Sequence, residues 1–325
     1  MRVIKDMSAE VPDTNGFYFR LDELSDETSK DNLYNGYNSI HNNYTKGHRQ
    51  AVLNIWMPTE FGQFKDHFGN SAIEYNKAAT EVYGVCPFTT EWLNKIDPGR
   101  EYKYIFYPFN IKDIPEVMEK KYDICYFGGI HSGLHLEGLA SMQKYNYRYM
   151  SMTHGINQVT QKCLMFATDL DLSHPEKIER VGECKISLCY NIVPAESQHV
   201  EAIKTYPSWK DNKAFTNVDD LGYFPQFKSR MHEAAIARTL NLVYKDPWGI
   251  SEEYYTPDKE FVYFNSNEEL EDKINEILNN WSSYEEVIDN AYNKALSYTT
   301  ENMMEIIERG DSWNPRNAVL AATKI

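Results

Sequence analysis

The sequence predicts an α/β fold in two domains, the first of them abbreviated. Three observations lead there. The chain has 325 residues, enough for two domains of ordinary size, and 42% are apolar, enough for a core in each. Short apolar runs of strand type, among them Tyr122–Phe127, Lys185–Tyr190 and Leu240–Tyr244, alternate with segments of helical spacing. Residues 1–50 are instead polar and rich in Asn, Asp and Tyr, with only Met1–Ile4 and Gly16–Arg20 reading as short strands.

The totals narrow the function classes. Lys and Arg number 33 against 48 Asp and Glu, a net charge of −15. Nucleic acid is therefore not expected as a tightly held partner, because phosphate binding rests on Lys and Arg contacts; a local basic groove is left open. The five cysteines form no Cys-x-x-Cys pair, and Cys125 sits inside an apolar strand. They read as reduced, mostly buried thiols of a cytoplasmic protein. No apolar run approaches membrane-spanning length, and the N-terminus has no apolar signal segment, so no transmembrane segment is expected. The 24 tyrosines read as half-buried strand residues in preference to sugar-stacking platforms.

In the second half, Phe224–Asn267 organises the rest. Met231, Ala234, Ala235 and Ala237 recur at helical spacing, and Leu240–Tyr244 follows as a buried strand. Arg230 and Glu233, three apart, share one face at the helix start. Backbone N–H groups there are unpaired and favour an anion. An arginine can grip a diphosphate and a carboxylate can accept two ribose hydroxyls, so together they can hold a nucleotide. The plainer alternative is an ordinary amphipathic helix with a solvated Arg–Glu pair. Upstream, Tyr122–Phe127 runs into Gly128-Gly129-Ile130-His131-Ser132-Gly133 and then a helix over 134–144. Glycines there let backbone approach phosphates closely, and His131 and Ser132 can hydrogen-bond a phosphate or a sugar.

These segments resemble the donor domain of GT-B glycosyltransferases. Arg230-x-x-Glu233-Ala234 enters a helix, two short strands follow, and Glu268-Glu269-Leu270 opens an acidic helix. In particular they resemble the spore-maturation-type family and the phage DNA β-glucosyltransferase, over about residues 120–300. The resemblance implies two Rossmann-like domains facing a cleft. Residues 1–115 would form the acceptor side, 120–300 would hold a nucleotide-sugar donor, and a tail over 301–325 would cross back to the first domain. It implies donor-binding roles for Gly128, Gly129, His131, Ser132, His154, Lys228, Arg230 and Glu233. These loops commonly carry an arginine that this chain lacks, which leaves phosphate neutralisation to Lys228 and Arg230.

Ala51–Trp56 is a buried strand that ends in Met57-Pro58-Thr59-Glu60. A carboxylate just beyond a strand's C-terminal end sits where open α/β sheets place ligands. By position, Glu60 matches the acidic general base of the phage enzyme; it is otherwise a helix cap or surface acid. A helix over 71–80, strands over 81–87 and 103–107, and a linker over 108–120 come next. His154 stands at the end of strand 147–152, as a donor-site group or a structural histidine. A helix opens at His174-Pro175-Glu176 and further helices cover 272–279 and 284–297. The polar stretch 194–222 reads as a mobile loop near the acceptor or an inserted surface segment. Asp169-Leu170-Asp171 has the form of a metal-binding acid pair, but acidic triplets are frequent in so acidic a chain and the donor-domain order argues against a metal there.

The primary expectation is a metal-independent glycosyltransferase that moves a sugar from a nucleotide-sugar donor to a hydroxyl of a glycan or other small acceptor. No cofactor is expected. Two alternatives stand: glycosylation of modified DNA bases, and a non-catalytic module that binds a nucleotide or glycan.

Overall fold

The computed structural model describes residues 17–20, 48–53, 58–60, 63–64, 79–84, 86–96, 98–195, 211, 213–215 and 221–314. The chain divides into two units. One comprises the described residues of Met1–Asn110, Pro194–Gln226 and Tyr298–Val319; the other comprises Ile111–Val193 and Phe227–Ser297.

In the first unit, β1 (Phe17–Arg20), β2 (His48–Leu53), β5 (Ala79–Gly84) and β6 (Tyr102–Tyr104) form a sheet in the order β1-β2-β5-β6. β1 lies antiparallel to β2, and the other pairs are parallel. Between β2 and β5 lies a separate hairpin of β3 (Pro58–Glu60) and β4 (Gln63–Phe64). The strand expected at 51–56 thus begins earlier and ends at Leu53, and β5 begins at Ala79 inside the span expected as a helix. Most of that expected helix, and the strand expected at Met1–Ile4, lie outside the described residues. Pro87 opens the next helix, Pro87–Ile96, instead of ending a strand. Its ring supplies no N–H, which costs nothing in a helix's first turn.

The expected strand 103–107 pairs only as far as Tyr104. Its remaining apolar residues serve a cluster of rings: Phe106 meets Tyr298 at 5.4 Å and Trp313 at 5.5 Å between centroids. The backbone N–H of Trp313 donates to Tyr104 O at 2.6 Å, and that of Phe109 donates to Tyr298 O at 3.0 Å. These bonds bind the segment after Tyr298 into this unit.

The second unit carries six parallel strands: β7 (Tyr122–Phe127), β8 (Tyr147–Ser151), β9 (Asp169–Leu170), β10 (Cys184–Cys189), β13 (Leu240–Tyr244) and β14 (Val262–Phe264). Two short strands, β11 (Ile192–Pro194) and β12 (Tyr223–Pro225), lie in the stretches that join the units. The sheet order is β14-β13-β10-β7-β8-β9. Counted within the sheet this is 3-2-1-4-5-6, the dinucleotide-fold order, whose direction reverses between β7 and β10. Ligands of such sheets bind outside the strand C-termini at that reversal. Ile124, Cys125, Ile186, Leu188 and Leu242 are fully buried, as parallel strands covered on both faces require.

Helix Gly133–Met142 follows β7, and helix His174–Gly182 precedes β10. The latter starts at a capping box: the Ser173 backbone N–H donates to Glu176 Oε2 at 2.9 Å, and its hydroxyl does so at 2.6 Å. Helix Asn267–Asn279 opens at the Glu268-Glu269-Leu270 segment expected to start an acidic helix, five residues before 272, and helix Glu285–Ala295 is shorter than expected because 3-10 turns flank it. Tyr126, Tyr149, Tyr190, Tyr254 and Tyr255 are buried, which favours the packing reading of the tyrosines. All five cysteines are free thiols, four of them buried. Among the described residues no helix is long and apolar enough to cross a membrane.

At the other end of the sheet, Arg148 is sandwiched between two acids. It reaches Glu183 at 3.1 Å and Asp169 at 3.3 Å, with its guanidinium 4.1 Å from the Tyr122 ring. Burial raises the Glu183 carboxyl, but Lys121, Arg148 and Arg180 outweigh it and hold the group below the usual range. Stability from this acid is therefore present above its unfolded pKa and lost as pH falls through the lower folded value. Arg148→Ala leaves Glu183 buried beside fewer cations. It should cost about 3–5 kcal/mol in urea unfolding at neutral pH, and the deficit should shrink as the medium is acidified.

Candidate functional site

Helix Arg230–Ile236 is buried throughout. Arg230 is 5% exposed and Glu233 is 4% exposed, which excludes the solvated surface pair. The helix sinks because Met231, Ala234 and Ala235 pack inward, while Asn241 of β13 donates to Met231 O at 2.9 Å. It stops at Ala237 because Arg238 takes up a left-handed conformation, φ +52°.

Arg230 points toward the turn after β7. Its guanidinium lies 4.9 Å from the Tyr126 ring and 5.7 Å from the Phe127 ring, within cation–π range. Gly128 has φ +111°, and a Cβ there would stand 2.5 Å from Arg230 Nη2. The glycine thus admits the guanidinium to the loop as well as supplying the backbone angle. At Gly129 a Cβ would stand 2.5 Å from His131 Nε2. Asn157 Nδ2 lies 2.8 Å from His131 Nδ1. Ser132 Oγ lies 2.7 Å from Nδ1 of His135, a buried ring that stacks toward Tyr190 at 4.8 Å. Burial first, then the charges of Arg230, His131 and Lys228, keep His135 well below its ordinary pKa and so neutral.

Glu233 is met from two sides. Lys177 Nζ lies 2.7 Å from Oε2, and Ser229 Oγ donates to Oε1 at 3.0 Å. Burial raises this carboxyl, but Lys177, His174 and Ser229 bring it below the usual range, so it is ionised at neutral pH. Lys228 is buried too, and its backbone N–H donates to Asn191 Oδ1 at 2.8 Å. Asn191 follows β10 and spends its amide N–H groups on Ser251 Oγ at 2.8 Å and Met231 Sδ at 2.9 Å. Gly128, Gly129, His131, Ser132, Lys228, Arg230 and Glu233 thus belong to the loops and the helix around the C-terminal ends of β7 and β10.

His154 is exposed beyond β8, 3.5 Å from Asp171, whose carboxylate also accepts from the Thr153 backbone and hydroxyl. Asp169 is taken up by Arg148 and Thr168. The two acids of that triplet are thus spent on separate partners, and among the described residues no acid, His or Cys cluster fit for a metal occurs. Glu60 is the last residue of β3, paired in register with Gln63 across the hairpin.

Lys177 and Asn191 were missed from sequence. No spacing ties Lys177 to Glu233, because strands β10, β11 and β12 intervene. Asn191 stands two residues past an apolar strand, the kind of placement that singled out Glu60, and that signal was present.

A six-strand parallel sheet in this order, with a glycine turn and a buried arginine at its reversal, gives the second unit a Rossmann-like α/β fold. Residues 198–309 match the family model described as "Glycosyl transferase-like". Among curated proteins, none matches the sequence significantly. Sucrose-phosphate synthase from Thermosynechococcus elongatus is similar in structure, with TM-score 0.50 and 11% identity over 73% of this chain and 59% of that one. Anabaena HepE, solved with UDP-glucose, has TM-score 0.46 and 13% identity over 72% of this chain. The present chain covers 64% of that protein, less than two thirds of its length.

Gly128→Ala should displace the Arg230 guanidinium and strain the backbone by about 1–3 kcal/mol. The expected outcome is a lowered melting temperature, read by calorimetry.

Proposed function

We propose that this protein is a glycosyltransferase that moves a sugar from a nucleotide-sugar donor to a hydroxyl acceptor, a glycan or other small molecule. The observation that carries the reading is the seating of Arg230 against Gly128 at the sheet's reversal point. A fixed guanidinium beside a glycine turn is a preformed site for a diphosphate. The match of residues 198–309 to a glycosyltransferase-like model supports it, and so does the fold shared with sucrose-phosphate synthase. The Arg230-x-x-Glu233 segment keeps the resemblance to the spore-maturation-type branch.

In this reading Arg230 and Lys228 neutralise the leaving diphosphate as charge develops on it, in a site from which water is largely excluded. Two cationic side chains do the work a divalent metal does in other transferases, so transfer proceeds without one. Glu233, held ionised by Lys177, receives ribose hydroxyls. Gly129, His131 and Ser132 shape the turn that covers the phosphates, and His154 takes a peripheral place on the donor side. Glu60 removes the proton from the acceptor hydroxyl if the reaction inverts the anomeric centre.

A thermal-shift screen against UDP, GDP, ADP, CMP and dTDP tests the donor side. A ligand at about a hundred times its dissociation constant stabilises by roughly 2.7 kcal/mol. Arg230→Ala should abolish that gain for whichever nucleotide gives it; an equal gain in the variant would remove Arg230 from the site. Glu60→Gln should leave donor affinity intact while transfer falls by at least about a hundredfold, the scale of general-base catalysis. Transfer rates should be the same with and without EDTA.

A further inference from the structure

Resting on the transferase reading above, we propose that Asn157 is a positioning residue for the donor's phosphates. It holds the neutral His131 ring in the tautomer that carries its proton on Nε2, and that N–H donates to a phosphate oxygen at the glycine turn.

The tautomer follows from which groups can donate. Asn157 caps helix Gln158–Cys163, and its Oδ1 accepts the Thr160 backbone N–H at 2.8 Å. That contact decides which end of the amide is oxygen. Its Nδ2 turns the other way, 3.2 Å from Ile130 O and 2.8 Å from His131 Nδ1. Reversing the amide would oppose two oxygens at Ile130 and two N–H groups at Thr160. An amide nitrogen only donates, so His131 Nδ1 accepts, and the proton of the neutral ring is on Nε2. The backbone around the pair is fixed as well. The Ile130 N–H donates to Thr160 Oγ1 at 2.8 Å, that hydroxyl donates back to Ile130 O at 3.1 Å, and both residues are fully buried.

The position of Nε2 gives the tautomer its consequence. A Cβ on Gly129 would stand 2.5 Å from it, and a Cβ on Gly128 would stand 2.5 Å from Arg230 Nη2. Consecutive glycines thus yield their side-chain space to nitrogens from two different side chains. Arg230 carries N–H donors at any pH, whereas a neutral imidazole donates from one nitrogen only. With the proton on Nδ1 instead, Nε2 would turn a lone pair toward a phosphate oxygen and repel it. His131 and Asn157 are both exposed, so a ligand can reach the ring. The neighbouring Ser132 and His135 are no substitute, because Ser132 Oγ lies 2.7 Å from Nδ1 of the buried His135.

Two measurements on the full chain test this at about pH 9, where imidazoles are ordinarily neutral. Long-range proton–nitrogen NMR correlations, with the His131 signals identified by their loss in His131→Gln, should show the proton on Nε2. A proton on Nδ1, or an even mixture, overturns the proposal. Calorimetry then uses whichever of UDP, GDP and ADP binds the wild type best. Asn157→Asp keeps an oxygen for the Thr160 N–H and sets a second one against His131, so the ring's proton moves to Nδ1. Affinity should fall about tenfold or more, the scale of one hydrogen bond to a charged group. The added carboxylate also repels phosphate, so the double variant Asn157→Asp/His131→Gln is the control. Its glutamine amide donates without a tautomer to reverse, and should recover most of the loss. No loss, or a loss that the double variant keeps in full, overturns the assignment and leaves the transferase reading in place. A wild type that binds none of the three overturns both. If Asn157→Asp does not fold, Asn157→Ser, which also caps the helix, is judged by NMR. A mixture of tautomers there supports the proposal, and an undiminished Nε2–H form overturns it.

Discussion

The fully buried amide of Asn191 holds together the second unit at the C-terminal end of its strands. Its oxygen takes the Lys228 backbone N–H, and its nitrogen serves Ser251 and Met231. One side chain at the end of β10 thereby fixes the loop that leads into helix Arg230–Ile236 and the turn that follows β13. A polar group this deeply placed is tolerated only when its hydrogen-bonding capacity is met, so the three segments have little freedom to move apart. The direction of Arg230 toward Gly128 follows from that anchoring, because the helix start cannot shift without breaking it.

Electrostatics work locally against the sign of the whole. The chain carries a net charge of −15, yet Arg230, Lys228 and Lys177 gather at one end of one sheet. Two of them have neighbours that differ in kind: Arg230 lies against the Tyr126 and Phe127 rings, and Lys177 against the Glu233 carboxylate and the Phe127 ring. The Lys177 charge is spent on Glu233 and keeps that buried acid ionised.

Much of the second unit was legible residue by residue. The strand expected at 240–244 is observed there, and those expected at 122–127, 147–152 and 185–190 are observed within a residue, because parallel strands covered on both faces are nearly unbroken apolar runs. The first unit was harder to read. Its strands are short, and the run 103–107 is apolar for the sake of Tyr298 and Trp313, not of a neighbouring strand. Ring packing and sheet pairing leave the same apolar signature, and only the distant partners tell them apart. The placements of Gly128, Gly129 and Arg230 were legible because each has a local cause: a positive φ at Gly128, a turn at Gly129 and a helix start at Arg230. Lys177 and Asn191 were not, since their partners come from distant segments.

The sequence by itself determined the fold class, the position of the glycine turn and the Arg-x-x-Glu spacing. Those properties come from residues within a few positions of one another, where backbone sterics and side-chain periodicity act directly. Only the tertiary structure decided that Arg230 faces a glycine and two rings, that Glu233 has Lys177 beside it, and that Asn191 ties the Lys228 backbone to Ser251. The reason is that each of those statements concerns what fills the space around a polar or charged group. That space is filled by chain dozens of residues away, brought there by the order of strands in the sheet.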